Sequence, residues 1–230
     1  MPHALLISAA SYLLGAIPFG YILVRIFRGE DVRQSGSGNI GATNVSRKSP
    51  ALGILTLFLD ALKGSAAVFL GMILSPALFE RIPITHVPWR DLLPASASPQ
   101  LASWAALAAL CAILGHMFPI WLKFSGGKGV ATGLGAFAMI APKAVLCAAA
   151  IFVIIVFFFR YISLGSIVAV ALFPTLTWTL REFGQKWQAL AFISLSSLAI
   201  VIKHHENLHR LLTGKENRLG SKQAVNQGNQ

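Results

Sequence analysis

Residues 130–159 read VATGLGAFAMIAPKAVLCAAAIFVIIVFFF, and this stretch decides the fold of the chain. It is apolar over nearly its whole length and is long for a single membrane-spanning helix, which needs about 20 residues. Pro142 and Lys143 interrupt it near the middle, and a proline there favours the end of one helix and the start of another. The stretch therefore predicts two short, tilted helices that turn at Pro142, so that its two ends lie on the same side of the membrane.

The composition of the chain places it in a lipid bilayer. Hydrophobic residues make up 55% of the 230 residues, charged residues make up only 12%, and the mean hydropathy is +0.68. A soluble domain carries about 25% charged residues, so we expect an all-α integral membrane protein, a bundle of about seven transmembrane helices. We also expect one polytopic membrane domain over residues 1–222 and a disordered polar tail over residues 223–230. The predicted spans are residues 4–24, 51–74, 101–121, the two halves of 130–159, 161–180 and 187–202.

The charge of the chain is strongly positive. The formal net charge is +11, from 19 Lys and Arg residues against 8 Asp and Glu residues. Nucleic-acid binding needs an exposed basic face, whereas these charges lie between apolar runs, so we expect no nucleic-acid partner. With seven spans, most basic residues fall on the side of the C-terminal tail, and the positive-inside rule then predicts an N-terminus outside and a C-terminus in the cytoplasm.

The first polar segment on the cytoplasmic side, residues 34–47, is rich in small hydroxyl and amide side chains. Its glycines match the G-x-G-x-x-G pattern, but no β-strand precedes them, which argues against dinucleotide binding. The segment is either a solvated connector or a loop that packs into the mouth of the bundle and binds an anion. We favour the loop, because a connector has no need of three glycines and two asparagines. The candidate phosphate ligands are Ser37, Gly38, Asn39, Asn44 and Arg47.

A second polar segment, Gly126-Gly127-Lys128-Gly129, follows the third predicted span. Glycines allow backbone N–H groups to point at one spot, and a lysine adds a positive charge there, which is how proteins bind phosphate. The segment is not an ATPase P-loop, because Gly129 stands where Ser or Thr should follow the lysine. The alternative is a flexible turn between two membrane helices. His116, at the end of the preceding span, either supports this segment or is bonded locally at a helix end.

Two further pairs of polar side chains belong to predicted spans. Asp60 and Lys63 lie three residues apart near the middle of a span, where each would cost about 3 kcal/mol if it faced lipid. We therefore expect both to face the bundle interior or a water-filled cleft, as a structural ion pair or as a support beneath the site. Ser163 and Ser166 lie at the start of the sixth span, where they offer hydroxyls to a phosphate or cap a helix.

The C-terminal segment presents His204 and Asn207 on one helix face. Such a pair supplies a candidate base and an amide that can orient an oxyanion. Residues 205–209 match H-E-x-x-H, but no third zinc ligand is in view, so we expect no metal and no cofactor. His86 and Asp91 have the H-x-x-x-x-D spacing of another acyltransferase class, but they lie in the outer connection, and we attribute that match to chance.

Three stretches together resemble one family, the bacterial acyl-phosphate:glycerol-3-phosphate acyltransferases (PlsY). The resemblance covers nearly the whole chain, including the order of the spans, and it implies a multi-pass protein of the bacterial cytoplasmic (inner) membrane with its active site facing the cytoplasm. We expect a monomer. The stretches are Ser37-Gly38-Asn39-Ile40-Gly41-Ala42-Thr43-Asn44 with Arg47, Gly115-His116 with Gly126-Gly127-Lys128-Gly129-Val130-Ala131-Thr132, and residues 204–207 with Arg210-Leu211-Leu212-Thr213-Gly214-Lys215-Glu216.

The resemblance implies transfer of a fatty acyl group from acyl phosphate to the 1-hydroxyl of sn-glycerol 3-phosphate, giving lysophosphatidic acid and phosphate. This reaction is the first acylation of phospholipid synthesis. Both substrates carry phosphate, which fits two glycine-rich segments, and the long acyl chain fits a catalyst that lives in a bilayer. An acyl phosphate is already activated, so no covalent acyl-enzyme is expected, and catalysis requires positioning and charge neutralisation.

The same hypothesis assigns roles to residues. Lys128 and the glycine turn hold one phosphate with help from Ser37 and Arg47, while His204 and Asn207 orient the acceptor. The proton goes either to His204 or to the leaving phosphate of the donor. The supporting residues are Asp60, Lys63, His116 and Glu216. The alternatives are a membrane transporter of a phosphorylated metabolite, which predicts polar residues through the depth of the membrane, and a non-catalytic lipid-binding scaffold.

Overall fold

The computed structural model describes residues 2–76, 99–182 and 186–220, and every regular element within these ranges is a helix. His86, Asp91 and the tail over residues 223–230 lie outside the described residues. Short 3₁₀ turns cover Val32–Gln34 and Ile120–Leu122. The α-helices, numbered in chain order, are α1 (Pro2–Gly15), α2 (Phe19–Arg28), α3 (Ala42–Lys48), α4 (Pro50–Ile73), α5 (Pro99–Met117), α6 (Val130–Ile140), α7 (Pro142–Phe159), α8 (Ile162–Thr179), α9 (Trp187–Lys203) and α10 (His205–Leu212).

The break predicted within residues 130–159 is confirmed. Helix α6 ends at Ile140, and α7 begins at Pro142. Ala141 between them has φ −145° and ψ 67°, away from the helical region that the following proline disfavours. Pro142 occupies the first turn of α7, where a missing N–H costs no intrahelical hydrogen bond.

Five stretches of the described residues are long and apolar enough to cross a bilayer, and α9 with α10, bent by 53°, makes a sixth if taken as one span. Helix α6 has only 11 residues, so it extends about 16 Å against a hydrocarbon core of about 30 Å. The chain is thus an all-helical membrane protein, while the seventh span and the orientation of the termini remain predictions. The five stretches are Pro2–Arg28, Pro50–Ile73, Leu101–Leu122, Pro142–Phe159 and Ile162–Thr179.

Helix α4 lies at the centre of the described bundle, where it packs against α1, α5 and α6. Helix α5 packs against α1 and α9 with a face made largely of alanine, and α8 packs against both α7 and α9. Over the described residues, α4 has no extensive packing against α7 or α8. The space between α4 and these two helices is where the cleft described below opens.

The crossing of α4 and α6 is close enough to require glycine at position 135. A Cβ added to Gly135 would lie 1.8 Å from the carbonyl oxygen of Ala61 on α4. The Ser65 hydroxyl on α4 also donates a hydrogen bond to the Gly135 carbonyl oxygen, at 2.8 Å. This crossing fixes α6 against α4, and with it the glycine–lysine turn that leads into α6.

We predict that Gly135→Ala lowers the free energy of unfolding by about 2 kcal/mol, because the new methyl group must push the two backbones apart. The matched control is Gly133→Ala on the same helix, where a Cβ would meet its nearest neighbours at 3.4 to 3.6 Å, an ordinary contact. Replacing either glycine by alanine raises helix propensity by the same amount, but only at position 135 does the new methyl group clash. Denaturant unfolding of both variants in detergent checks this, and equal stability of the two variants would contradict it.

Candidate functional site

A cleft of about 890 Å³ opens between α4 and α6 on one side and α7 and α8 on the other. Its lining is polar where α6 and α8 begin and apolar further along these helices. Segments 34–47, 126–129 and 204–216 all contribute to the polar part, so the structure brings the three predicted segments together. The polar side chains that line the cleft are Ser37, Asn39, Thr43, Asn44, Ser46, Arg47, Asp60, His116, Lys128, Ser163, Ser166, His204, Asn207, Arg210, Glu216, Asn217 and Arg218.

Not every candidate residue reaches the cleft. Gly38, Lys63, Gly126 and Gly127 do not line it. Sequence reasoning also left Arg210 out of the site, although its guanidinium lies in the cleft wall. The sequence does place Arg210 four residues after Glu206, the spacing of an ion pair on one helix face. In the structure the two side chains are 3.7 Å apart.

The buried side chain of Asn44 organises the first segment. Its Oδ1 accepts from the Ser37 N–H at 3.0 Å, and the two hydrogens on Nδ2 are shared among the carbonyl oxygens of Val32, Ser35 and Asn39, at 3.1, 3.1 and 2.8 Å. The amide of Asn44 is therefore fully used in holding the loop. Its contribution is to present the rest of the segment, including Ser37, at the cleft.

The glycine–lysine turn folds back on the end of α5. The N–H of Gly126 donates to the Met117 carbonyl oxygen at 3.2 Å, and the N–H of Gly127 donates to the His116 carbonyl oxygen at 3.0 Å. A Cβ on Gly127 would lie 1.9 Å from His116 Nε2, so only glycine fits against that ring. The expectation that these two N–H groups point at a phosphate is therefore wrong, because both satisfy the carbonyl end of α5.

What faces the cleft from this turn is Lys128 together with the start of α6. Gly129, Val130 and Ala131 line the cleft, and Gly129 has φ +86°. The first N–H groups of a helix have no intrahelical partner and carry a partial positive charge, which favours an anion. Burial lowers the pKa of the Lys128 ammonium to about 8, and the neighbouring Arg210 lowers it as well.

A buried ion pair lies behind the turn. The Lys63 ammonium is 2.7 Å from Asp60 Oδ1, and it donates to the Ile17 carbonyl oxygen at 2.7 Å and to His116 Nδ1 at 3.0 Å. Asp60, Lys63 and His116 are each at most 3% exposed. The prediction that this pair faces the interior is confirmed. Since lysine can only donate, His116 Nδ1 accepts, and the ring proton is on Nε2, next to Gly127.

The helix bends at His204, between α9 and α10. The His204 Nδ1 lies 2.8 Å from the Ile200 carbonyl oxygen, which can only accept, so Nδ1 carries the proton. The Nε2 lone pair then remains available in a residue that is 3% exposed and lines the cleft. Asn207, one turn further on, accepts a short hydrogen bond from the Lys128 ammonium through Oδ1.

Glu216 ties this segment to α8. Its Oε1 accepts from Asn207 Nδ2 and from the Ser163 hydroxyl, both at 2.8 Å, and its Oε2 accepts from Arg210 Nε at 2.8 Å. Burial raises the pKa of this carboxyl, but the three hydrogen bonds outweigh burial and lower it below its ordinary value. Glu216 is therefore ionised at neutral pH and holds Asn207 in position for Lys128.

Residues beyond Glu216 close one side of the cleft. The Leu219 N–H donates to the Arg160 carbonyl oxygen at 2.6 Å, and Arg160 Nη2 donates back to the Leu219 carbonyl oxygen at 2.7 Å. Arg218 Nε donates to the Tyr161 hydroxyl at 3.0 Å. These contacts hold residues 216–220 against the turn between α7 and α8, and we call this segment the strap.

The glycerol-3-phosphate acyltransferase family profile matches residues 5–214. The chain belongs to that family. It is 44% identical to the glycerol-3-phosphate acyltransferase of Syntrophotalea carbinolica over 91% of this chain and 94% of that one. It is 40% identical to the glycerol-3-phosphate acyltransferase of Ehrlichia chaffeensis over 94% of this chain and 96% of that one.

Two solved structures of family members have the same fold. The crystal structure of PlsY, an integral membrane glycerol 3-phosphate acyltransferase, in its glycerol 3-phosphate form superposes with a TM-score of 0.76 and 34% identity, covering 94% of this chain and 96% of that one. The lysophosphatidic acid form superposes with a TM-score of 0.73 and 32% identity, covering 94% of this chain and 95% of that one.

We predict that Lys63→Met lowers the free energy of unfolding by about 3 kcal/mol, because it leaves the Asp60 carboxylate buried without a partner. The double variant Asp60→Asn with Lys63→Met should be more stable than Lys63→Met alone, because no uncompensated charge remains. Denaturant unfolding in micelles, read as a double-mutant cycle, measures the coupling. Additive single losses would show that the two groups do not act as a pair.

Proposed function

We propose that the chain transfers a fatty acyl group from an acyl phosphate to the 1-hydroxyl of sn-glycerol 3-phosphate, releasing lysophosphatidic acid and phosphate. The observation that carries this proposal is a single cleft whose cationic end continues into an apolar groove. A phosphate group fits the first part and an alkyl chain the second. Family members solved in glycerol 3-phosphate and lysophosphatidic acid forms support the acceptor and the product.

The phosphate-binding role belongs to the cations of the cleft and to the start of α6. Arg47, Lys128 and Arg210 all line the cleft, where Glu216 partly offsets their charge. Charge-assisted hydrogen bonds to phosphate oxygens are stronger than neutral ones, most of all in a partly dry site. Ser37 adds a hydroxyl, whereas the Ser163 hydroxyl donates to Glu216 and the Ser166 hydroxyl donates to the Ile162 carbonyl oxygen.

The chemistry proposed for this site is a direct displacement. The acceptor hydroxyl oxygen attacks the acyl carbonyl carbon, a new ester C–O bond forms, and the bond between that carbon and the bridging phosphate oxygen breaks. The electron pair of the broken bond leaves with phosphate, so the enzyme needs no covalent nucleophile. The hydroxyl proton goes to His204 Nε2 or to the departing phosphate, and a His204 variant discriminates between them.

The membrane arrangement is part of the proposal. We place seven crossings in one membrane domain, the N-terminus outside, and the cleft at the cytoplasmic face of the bacterial inner membrane, in a monomer. The support is the basic character of the cleft end, which includes Arg47, Lys128, Arg210 and Arg218. A cytoplasmic cleft also gives direct access to a phosphorylated metabolite.

The experiment is an assay of the purified full chain in detergent with palmitoyl phosphate and glycerol 3-phosphate. We expect equal amounts of phosphate and lysophosphatidic acid, and neither product when palmitoyl-CoA replaces the donor. Glycerol 3-phosphate uptake by proteoliposomes without phosphate release would identify a transporter instead. Substrate binding without turnover would indicate a lipid-binding scaffold and overturn the proposal.

If Nε2 of His204 takes the proton, His204→Ala should lower kcat by about 10² to 10⁴, the contribution of a general base. The matched control is His205→Ala, because His205 is exposed, its ring bonds to the Ile202 carbonyl oxygen, and it does not line the cleft. The control should keep the kcat of the parent. A His204→Ala enzyme with near-parent kcat would exclude the histidine base and assign the proton to the departing phosphate.

We predict that kcat/KM for glycerol 3-phosphate falls as the pH rises through about 8, the pKa of Lys128 in the free enzyme. Above that pH the ammonium loses its proton and its attraction for phosphate. Lys128→Arg keeps a permanent charge, so its profile should stay flat above pH 8 although its absolute rate is lower. If kcat/KM of Lys128→Arg falls above pH 8 as it does in the parent enzyme, the titrating group is not Lys128.

A further inference from the structure

The apolar groove of the cleft leads away from the polar end along α6 and α8. On α8 its lining runs from Ile162 and Ser163 at the polar end to Phe173. On α6 it runs from Val130 to Phe137. Both helices begin at the polar end, so the two phenylalanines lie at the far end of the groove.

These two rings form one closed wall. The ring centroids of Phe137 and Phe173 are 4.5 Å apart, with an interplanar angle of 23°, which is a stacked arrangement. The residues are 5% and 3% exposed, and both belong to the same hydrophobic core cluster. Close-packed core rings have little room to turn aside, so an alkyl chain that reaches this wall stops there.

The wall lies at a fixed depth. Phe137 is seven residues after the start of α6 and Phe173 is 11 residues after the start of α8, or roughly 10 Å and 16 Å at 1.5 Å per residue. We propose that the stacked Phe137–Phe173 pair is the floor of the acyl-chain groove and sets the longest acyl group that the enzyme transfers efficiently. This inference rests on the proposed function, since it concerns the acyl chain of the donor.

A competing path for the chain runs sideways out of the cleft. Ile54 and Leu57 on α4 line the same cleft and are 70% and 44% exposed on the surface of the described bundle. A chain that leaves between α4 and α7 enters lipid and meets no limit on its length. The floor requires instead that the chain run along α6 and α8, where Phe137 and Phe173 are the last lining residues of the two helices.

The test compares kcat/KM for a series of donors from lauroyl phosphate to arachidoyl phosphate. Phe173→Ala deepens the groove, and we expect the ratio of arachidoyl to palmitoyl transfer to rise by about tenfold or more, since even one methylene changes discrimination in an apolar pocket by about tenfold or more. Val170→Phe places a ring above the floor, and the ratio of lauroyl to palmitoyl transfer should rise by a similar factor. The two variants therefore move the preference in opposite directions.

The matched control is Ile193→Ala, because Ile193 is fully buried in the same core cluster but does not line the cleft. It loosens the core as Phe173→Ala does and should leave the chain-length profile unchanged. If Phe173→Ala fails to fold, the shift in Val170→Phe alone decides the question.

Two failures are distinguishable in this experiment. A parent enzyme that transfers none of the donors would refute the proposed function and the floor with it. An active parent whose profile is unchanged in the folded groove variants, or is shifted equally by Ile193→Ala, would overturn the floor alone. An unchanged profile would place the chain in the bilayer between α4 and α7.

Discussion

An ammonium group inside a membrane bundle must find protein acceptors for its hydrogens, and Lys63 finds them on three different parts of the chain. Asp60 lies on the same helix, Ile17 at the break between α1 and α2, and His116 near the end of α5. His116 in turn packs against Gly127 with no room for a side chain. The buried charge therefore helps to position the glycine–lysine turn, together with the α4–α6 crossing at Gly135 and the hydrogen bonds of the turn to the end of α5.

A second charged group plays the corresponding role at the mouth of the cleft. The Glu216 carboxylate accepts hydrogen bonds from Ser163 on α8 and from Asn207 and Arg210 on α10. It also partly balances the cluster formed by Lys128 and Arg210, which would otherwise repel each other at close range. The remaining positive excess suits a phosphate, because the cations are already held in place before the anion arrives.

The sequence predicts much of this architecture because local chemistry determines it. Pro142 marks the helix break, and a charge within an apolar span identifies Asp60 as facing inward. The fate of the Gly126 and Gly127 N–H groups was not predictable, since it depends on how the loop folds back on α5. The strap escaped prediction as well, because its contacts join residues almost 60 positions apart, as in the Arg160–Leu219 pair.

The cleft resolves a conflict that an amphiphilic substrate imposes on any catalyst. A phosphate needs cations and exclusion from lipid, whereas an alkyl chain needs an apolar surround, and the reacting carbonyl lies between the two. In this fold α6 and α8 satisfy both needs within single helices, because each begins among polar groups and becomes apolar with depth. On α8, Ser163 bonds to Glu216 at the polar end of the cleft, and Phe173 lies at the apolar end. One helix therefore runs from the polar part of the cleft to the apolar part. In the reaction that we propose, anchoring the two ends of the substrate places the carbonyl between them, and positioning of that kind can lower a barrier without a covalent intermediate.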